Sequence, residues 1–225
     1  MRIQGAYDYI RTAVLNQAPL PTWGYAQGYS PGTWQTDLDS GELTVQLASV
    51  VAAGAKGVML FQSDLSCSDE GGWTSGGKLM RMIAAVGDDF LRTADHAGPQ
   101  AVVEKDDGDA GSDASLVGVL VGPTAIVVVA ASTNCDSYDD VTCSVGVSNH
   151  WQFHEHTIER LEVSLPEDWR GVSLQIMEVS HDGDMEDPDV DEAKVGDDSL
   201  SLEGIAFDGS GTHVLARIFV VTKEE

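Results

Sequence analysis

Basic residues are the scarcest class with a consequence: 12 Lys and Arg stand against 37 Asp and Glu, for a formal charge of -25. Phosphate recognition requires clustered cations, so nucleic acid and anionic membrane surfaces are excluded as expected partners. A solvated, mutually repelling surface is the plain reading of so many carboxylates, and adaptation to high salt, which screens that repulsion, is the sharper one. Long hydrophobic runs are also missing. A membrane span needs roughly 18 to 20 apolar residues, and the most apolar stretch, Leu116 to Ala131, is broken by Gly122-Pro123 into two strand-length pieces. The amino-terminal segment lacks the apolar core of a signal peptide and reads instead as an amphipathic helix, with Ile3, Tyr7, Ile10 and Val14 along one face. Cysteine is sparse and odd in number, at three. Cys135 and Cys143 flank an acidic loop and are spaced for a local disulfide, which would imply an oxidising, extracellular setting; two free thiols fit the spacing as well. Cys67 has no evident partner. There is no phosphate-binding glycine loop, nucleophile elbow or CxxC pair, and no cofactor is expected.

What is present divides near residue 97. In Glu42 to Asp64, Leu43, Gln46, Leu47, Val50 and Val51 recur at helical spacing. Gly54-Ala55-Lys56-Gly57 then stops the helix ahead of the apolar run Val58-Met59-Leu60-Phe61. A strand apolar on both faces belongs in a parallel sheet covered by helices. Around this unit the spacing predicts a helix from Arg2 to Gln17, an aromatic strand over Thr22 to Gln27, a helix starting near Glu42 with Ser40 as its cap, and a loop from Leu65 to Gly77. A further helix is expected from about Lys78 to Ala94. From Gly98 onward the pattern changes to about eight strand-length apolar runs between acidic, Gly-rich turns, as in Leu161-Val163-Leu165 and Leu200-Leu202. Each such strand is expected to bury one face of an antiparallel sandwich. The expected fold is α/β in residues 1–97 followed by all-β in residues 98–225.

The first half resembles the end of a (β/α)8-barrel glycoside hydrolase. The resemblance lies in Pro21-Thr22-Trp23-Gly24-Tyr25-Ala26-Gln27 as a seventh strand, in Glu42-Leu43-Thr44-Val45-Gln46 with Ala52 to Gly57 as a seventh helix, and in Val58 to Phe61 as an eighth strand. Such barrels are commonly followed by an all-β domain, which residues 98–225 resemble. The resemblance implies a partial barrel plus an antiparallel β-sandwich, and carbohydrate as the partner. It also implies a gap. Glycoside hydrolysis needs two carboxyl groups roughly 5 to 9.5 Å apart, and strands one to six, with the acid of the fourth, would lie outside this sequence. At the end of the seventh strand stands Gln27, an amide that cannot act as nucleophile or base. The catalytic residues are therefore unknown, and a stand-alone chain is expected to lack the full pair. An open half barrel would expose the inward faces of its strands, so self-association through that edge is expected. The alternative is a non-catalytic carbohydrate-binding or structural module.

The candidate sugar-contacting residues are Trp23, Gln27 and Tyr29 after one strand, and Gln62, Asp64 and Trp73 after the other. Aromatic rings stack on apolar sugar faces while amides and carboxylates hydrogen-bond hydroxyls. Trp23 and Trp73 could equally pack under long loops, and Asp64 could brace one. His154 and His156, alternating on a strand, have a spacing that suits a transition metal, but no third ligand is identifiable and no metal is assigned. The acidic loops Asp106 to Asp113 and Asp182 to Asp187 have the oxygens calcium favours, yet neither fits the EF-hand pattern, and solvated loops are the expectation.

Overall fold

The structure is a computed structural model describing residues 3–17, 20–27, 40–61, 70–93, 101–106, 114–136, 152–207 and 215–224. The chain opens with helix α1 (Ile3–Gln17), strand β1 (Trp23–Gln27), helix α2 (Ser40–Ala52) and strand β2 (Gly57–Phe61). β1 and β2 pair in parallel, Trp23 with Gly57 through Gln27 with Phe61, so the two strands and α2 form one βαβ unit. α2 ends where expected, with Gly54 at a φ of 93° that a side-chain-bearing residue rarely adopts.

The next helix departs from expectation. α3 runs from Glu70 to Val86, taking in most of the Gly-rich segment read as loop, and α4 (Asp88–Arg92) follows after a break at Gly87, where φ is 63°. Glycine weakens a helix but does not forbid it. Burial of Leu79, Met82 and Val86 in the core that also holds α2 supplies the compensation.

The second half is built of antiparallel strands. They are β3 (Ala101–Asp106), β4 (Ser115–Val121), β5 (Ala125–Ser132), β6 (Cys135–Asp136), β7 (Gln152–Phe153), β8 (His156–Ser164), β9 (Leu174–Val179), β10 (Met185–Glu186), β11 (Glu192–Val195), β12 (Ser199–Phe207) and β13 (Ala216–Lys223). Five form one sheet in the order β10-β9-β13-β5-β4, and four form another in the order β11-β12-β8-β3. β6 and β7 make a separate short pair. Thr142 to Val147, in sequence another strand-length run with apolar residues, lies outside the described residues, and the short β6, β7, β10 and β11 have too few residues for a periodic signal.

One apolar core lies between the two sheets, with Ile126, Val128, Phe219 and Val221 from the five-stranded sheet meeting Ile158, Leu161, Leu200 and Leu202 from the four-stranded sheet. A second core lies on the opposite face of the five-stranded sheet. There Val127, Val129, Ile218 and Val220 meet Leu43, Leu47, Ala48 and Val51 of α2. The central strands β5 and β13 therefore bury both faces, not the single face expected from their pattern, because the helical layer covers the side that would otherwise be wet. α2 is itself buried almost all round, including Val45, Ala48, Ser49 and Ala52 beside the predicted stripe.

Two glycines set how closely these layers approach. A Cβ on Gly118 of β4 would overlap the backbone of Ala52, lying 2.6 Å from its carbonyl carbon, and one on Gly24 of β1 would overlap Val50. Gly118→Ala must therefore push α2 away from the sheet and should destabilise the protein by about 1–3 kcal/mol, the usual cost of overpacking. This is read as a lowered urea midpoint at unchanged slope. A midpoint equal to that of the parent would contradict the close packing of α2 on β4.

Candidate functional site

Alternation along the parallel pair sends its residues to opposite faces. Gly24 and Ala26 turn toward α2 and are buried, while Trp23 is 59% exposed, Tyr25 62% and their neighbour Met59 40%. The register places Trp23 beside Gly57, Tyr25 beside Met59 and Gln27 beside Phe61. Gly57 is what lets the Trp23 ring lie down on the neighbouring strand, since a Cβ there would come within 2.7 Å of three ring atoms. The result is an aromatic face on which Trp23, Tyr25 and Met59 are exposed, with Gln27 at the end of the first strand and Phe61 beside it in the register. No carboxylate belongs to either strand. Such a face can stack on or hydrogen-bond a partner, but it supplies no acid or base.

The amino end of this pair is anchored by Lys56. Its backbone N–H donates to the Thr22 carbonyl at 2.8 Å, and its Nζ donates to the Phe90 carbonyl at 2.9 Å and to Thr93 Oγ1 at 2.6 Å. The same ammonium lies 4.5 Å from the centre of the Phe90 ring. The Gly-Ala-Lys-Gly segment thus ties the turn between α2 and β2 to α4.

Of the predicted sugar-contacting residues, Trp23 and Gln27 share one strand and one face but sit at opposite ends of it. At about 3.3 Å per residue they are roughly 13 Å apart. Trp23 is at the amino end beside Gly57, away from the carboxyl end where Gln27 stands. Trp73 belongs to the first turns of α3, not to a loop. Tyr29, Gln62 and Asp64 lie outside the described residues. The sequence reading did not single out Tyr25 and Met59 as site residues, although the every-second-residue rule from Trp23 to Gln27 would have placed Tyr25 on the same face.

The remaining candidates resolve differently. His156 is buried, with Nε2 2.8 Å from Ser115 Oγ and Nδ1 3.3 Å from Ser132 Oγ, and its ring stacks on Phe207 at 4.8 Å. Both ring nitrogens are engaged by hydroxyls, so His156 is a core residue of the sandwich. His154 precedes β8 and is outside any strand. Asp182 and Asp184 occupy the turn between β9 and β10, and Asp182 faces Arg81 of α3 at 4.0 Å. Asp107 to Asp113 lie outside the described residues. Among the described residues no group of three or more His, Cys, Asp or Glu is arranged to hold a metal. Cys135 is disulfide-bonded.

A cavity of about 200 Å³ lies where α3 meets the β9–β10 turn, lined by Met82, Glu178, His181 and Arg217 among others. Arg217 is buried and forms a two-pronged ion pair with Glu178, one prong being Nη2 to Oε2 at 2.6 Å. Its guanidinium also donates to the carbonyls of Asp189 at 2.7 Å and Ala206 at 3.2 Å, so every prong is used internally. His181 beside it is held below its ordinary pKa of 6.5, first by burial and then by the charges of Lys78 and Arg217, against the opposing pull of Glu178 and Asp182.

No family model and no curated protein matches the sequence. Among solved structures, one titled "Glycoside hydrolase" is similar with a TM-score of 0.46 and 9% identity, over 97% of this chain and 46% of that one. The glycoside hydrolase family 30 subfamily 8 xylanase Xyn30A from Clostridium acetobutylicum is similar with a TM-score of 0.41 and 10% identity, over 95% of this chain and 45% of that one. The chain spans less than half the length of either structure. No helix among the described residues is long and apolar enough to cross a membrane.

The depressed pKa of His181 has a definite sign in stability. The folded state binds this proton more weakly than the unfolded state, so stability present above pH 6.5 is lost as pH falls through the folded value. His181→Gln should flatten that part of the loss, seen as a smaller drop in urea midpoint between neutral pH and a pH well below 6.5. An unchanged drop would show that His181 does not titrate out of a buried site.

Proposed function

We propose that this chain is the C-terminal portion of a glycoside-hydrolase-like, carbohydrate-active protein, with β1 and β2 as the last strands of a (β/α)8 barrel and residues 98–225 as an appended β-sandwich. The observation that carries the reading is the parallel βαβ unit whose one face is sealed by α2 while the other presents Trp23, Tyr25 and Met59 to solvent. Parallel strands are ordinarily covered on both faces, and in a closed barrel the uncovered face would be the packed interior. The order of helix, strand, helix, strand, helix before an antiparallel body supports the same reading, as does the sequence resemblance of the Pro21 to Phe61 segment.

In this reading substrate contact belongs to the carboxyl end of the pair, with Gln27, Tyr29, Gln62 and Asp64, and with Trp73 on the helix that follows. Trp23, at the opposite end, packs the barrel floor. The catalytic carboxylates come from strands beyond this chain, because Gln27 cannot take or give a proton at neutral pH. The chain alone then hydrolyses no aryl glycoside, while Asp64→Ala and Gln62→Ala weaken its retention by the soluble polysaccharide it prefers in affinity electrophoresis. Turnover of aryl glycosides by the purified chain would contradict the incomplete site. A second reading, a non-catalytic binding module, draws on the same uncovered face and the absence of any carboxylate on it. It is distinguished by the DNA upstream of Met1, where an in-frame stop favours the module and further βα repeats favour the enzyme.

The uncovered face also sets the behaviour of the isolated chain. In the absence of further strands its occupant is a second copy of itself, since among the described residues neither β1 nor β2 pairs with another strand and Trp23, Tyr25 and Met59 are exposed. Eight of the eleven exposed large hydrophobic residues among those described fall between Tyr9 and Leu91, so this half carries the tendency. Sedimentation should show a concentration-dependent oligomer, and the double substitution of Tyr25→Glu and Met59→Glu should return a monomer with the parent's circular dichroism. A monodisperse parent monomer would remove the expectation.

A further inference from the structure

A cavity of about 540 Å³ opens at the end of the antiparallel body, far in sequence from the aromatic face. Three segments build it: the last turn of α4 with Arg92, the tight β4–β5 turn with Val121 and Pro123, and the stretch that leaves β8 through Leu165 and Pro166 into a 3-10 turn (Glu167–Trp169) and Arg170. Its walls are mostly apolar, and two guanidiniums reach it in a chain that has only seven arginines.

Arg170 is the informative group. Its Nε donates to the Leu165 carbonyl at 3.0 Å and its backbone N–H to the Glu167 carbonyl, so the guanidinium is held from its inner side. Arg81, Arg92, Arg160 and Arg217 each have a carboxylate partner. Arg170 has none among the described residues, although Glu167 and Asp168 stand three and two positions before it and line the same cavity. Both terminal nitrogens, with their pairs of donors, are left to the cavity and to solvent. Arg92 is only loosely engaged, 3.8 Å from Asp88 with both side chains mostly exposed. Arg170 is itself exposed, and a guanidinium tethered through Nε, with no terminal partner among the described residues, matches the planar, two-oxygen geometry of a carboxylate.

We propose that this cavity is a binding site for a small organic monocarboxylate with an apolar body. The apolar walls of Val121, Pro123, Leu165 and Pro166 take the body, and Arg170, assisted by Arg92, takes the carboxylate. Glu167 and Asp168 set the charge limit. With them the two guanidiniums sum to zero, so in a protein of charge -25 a phosphate or other dianion adds two unbalanced charges to the cavity and a single carboxylate only one. The site is independent of the carbohydrate reading, since it shares no residue with the β1–β2 face.

The test uses the full chain and benzoate as probe, with neutral, nearly isosteric benzamide as control. Titration followed by amide chemical shifts should show saturable binding with a dissociation constant on the order of 1 mM, as expected for a ligand of so few atoms. The shifts should be confined to Arg92 and residues 121–123 and 164–170. Benzamide should bind about tenfold or more weakly, and Arg170→Ala and Arg170→Lys should each cost benzoate about tenfold, because lysine keeps the charge but not the fork. Benzamide binding as tightly as benzoate, an unaffected Arg170→Ala variant whose spectrum is otherwise native, or the absence of saturable shifts would each overturn the proposal.

Discussion

The rest of the structure depends on the burial of α2. One thirteen-residue helix separates a two-stranded parallel sheet from a five-stranded antiparallel sheet, and each of them relies on it to keep water off one face. Side chains of the size of Leu43, Leu47, Val50 and Val51 contribute about 1.5–3 kcal/mol each when fully buried. Their removal would leave Val127, Val129, Ile218 and Val220 facing solvent across the centre of the larger sheet. Gly118 and Gly24 fix the spacing by letting backbone and Val50 come where a side chain would stand. The halves on either side of residue 97 thus share a core, even though their sequence patterns differ.

Around that helix, polar groups hold the layers in place. Lys56 places its charge against the Phe90 carbonyl and ring, fixing the parallel pair to α4. Arg217 on β13 reaches Glu178 on β9 and the Ala206 carbonyl on β12, joining the two antiparallel sheets through a pair whose side chains are 6% and 12% exposed. Breaking so buried a pair on one side leaves an uncompensated charge, which is why such a pair fixes arrangement more than it adds stability. His156 on β8 performs the same joining role through its contacts with Ser115 on β4 and Ser132 on β5. Among the described residues, the β1–β2 face and the terminal nitrogens of Arg170 are where the two proposals above locate contact with a partner.

Much of the fold was legible because long elements carry a period. The α1, α2 and β2 segments, and the long strands from β3 to β13, stand within a few residues of where spacing and turn residues put them. Two features were not legible. The start of α3 was hidden by Gly71, Gly72, Gly76 and Gly77, whose local preference is overridden by packing of the later Leu79, Met82 and Val86. Burial of both faces of β5 and β13 was hidden as well, because apolar runs such as Ala125 to Ala131 do not say what covers their second side. The site was less legible than the fold. Composition picked out Trp23 and Gln27, but the strand separates them. Arg170 gave no signal, since its significance is an unmade ion pair beside two acidic neighbours.

The direct test of α2 as the shared layer is hydrogen exchange of the intact chain under native conditions, comparing the amides of Val45, Ala48 and Val51 with those of Val127, Val129 and Val220. A helix that completes the core of the large sheet exchanges only with global unfolding, so the two sets should give the same opening free energy and the same denaturant dependence. Exchange of the α2 amides through a separate opening, with β5 and β13 still fully protected, would contradict it and make the helical half an independent unit resting on the sheet.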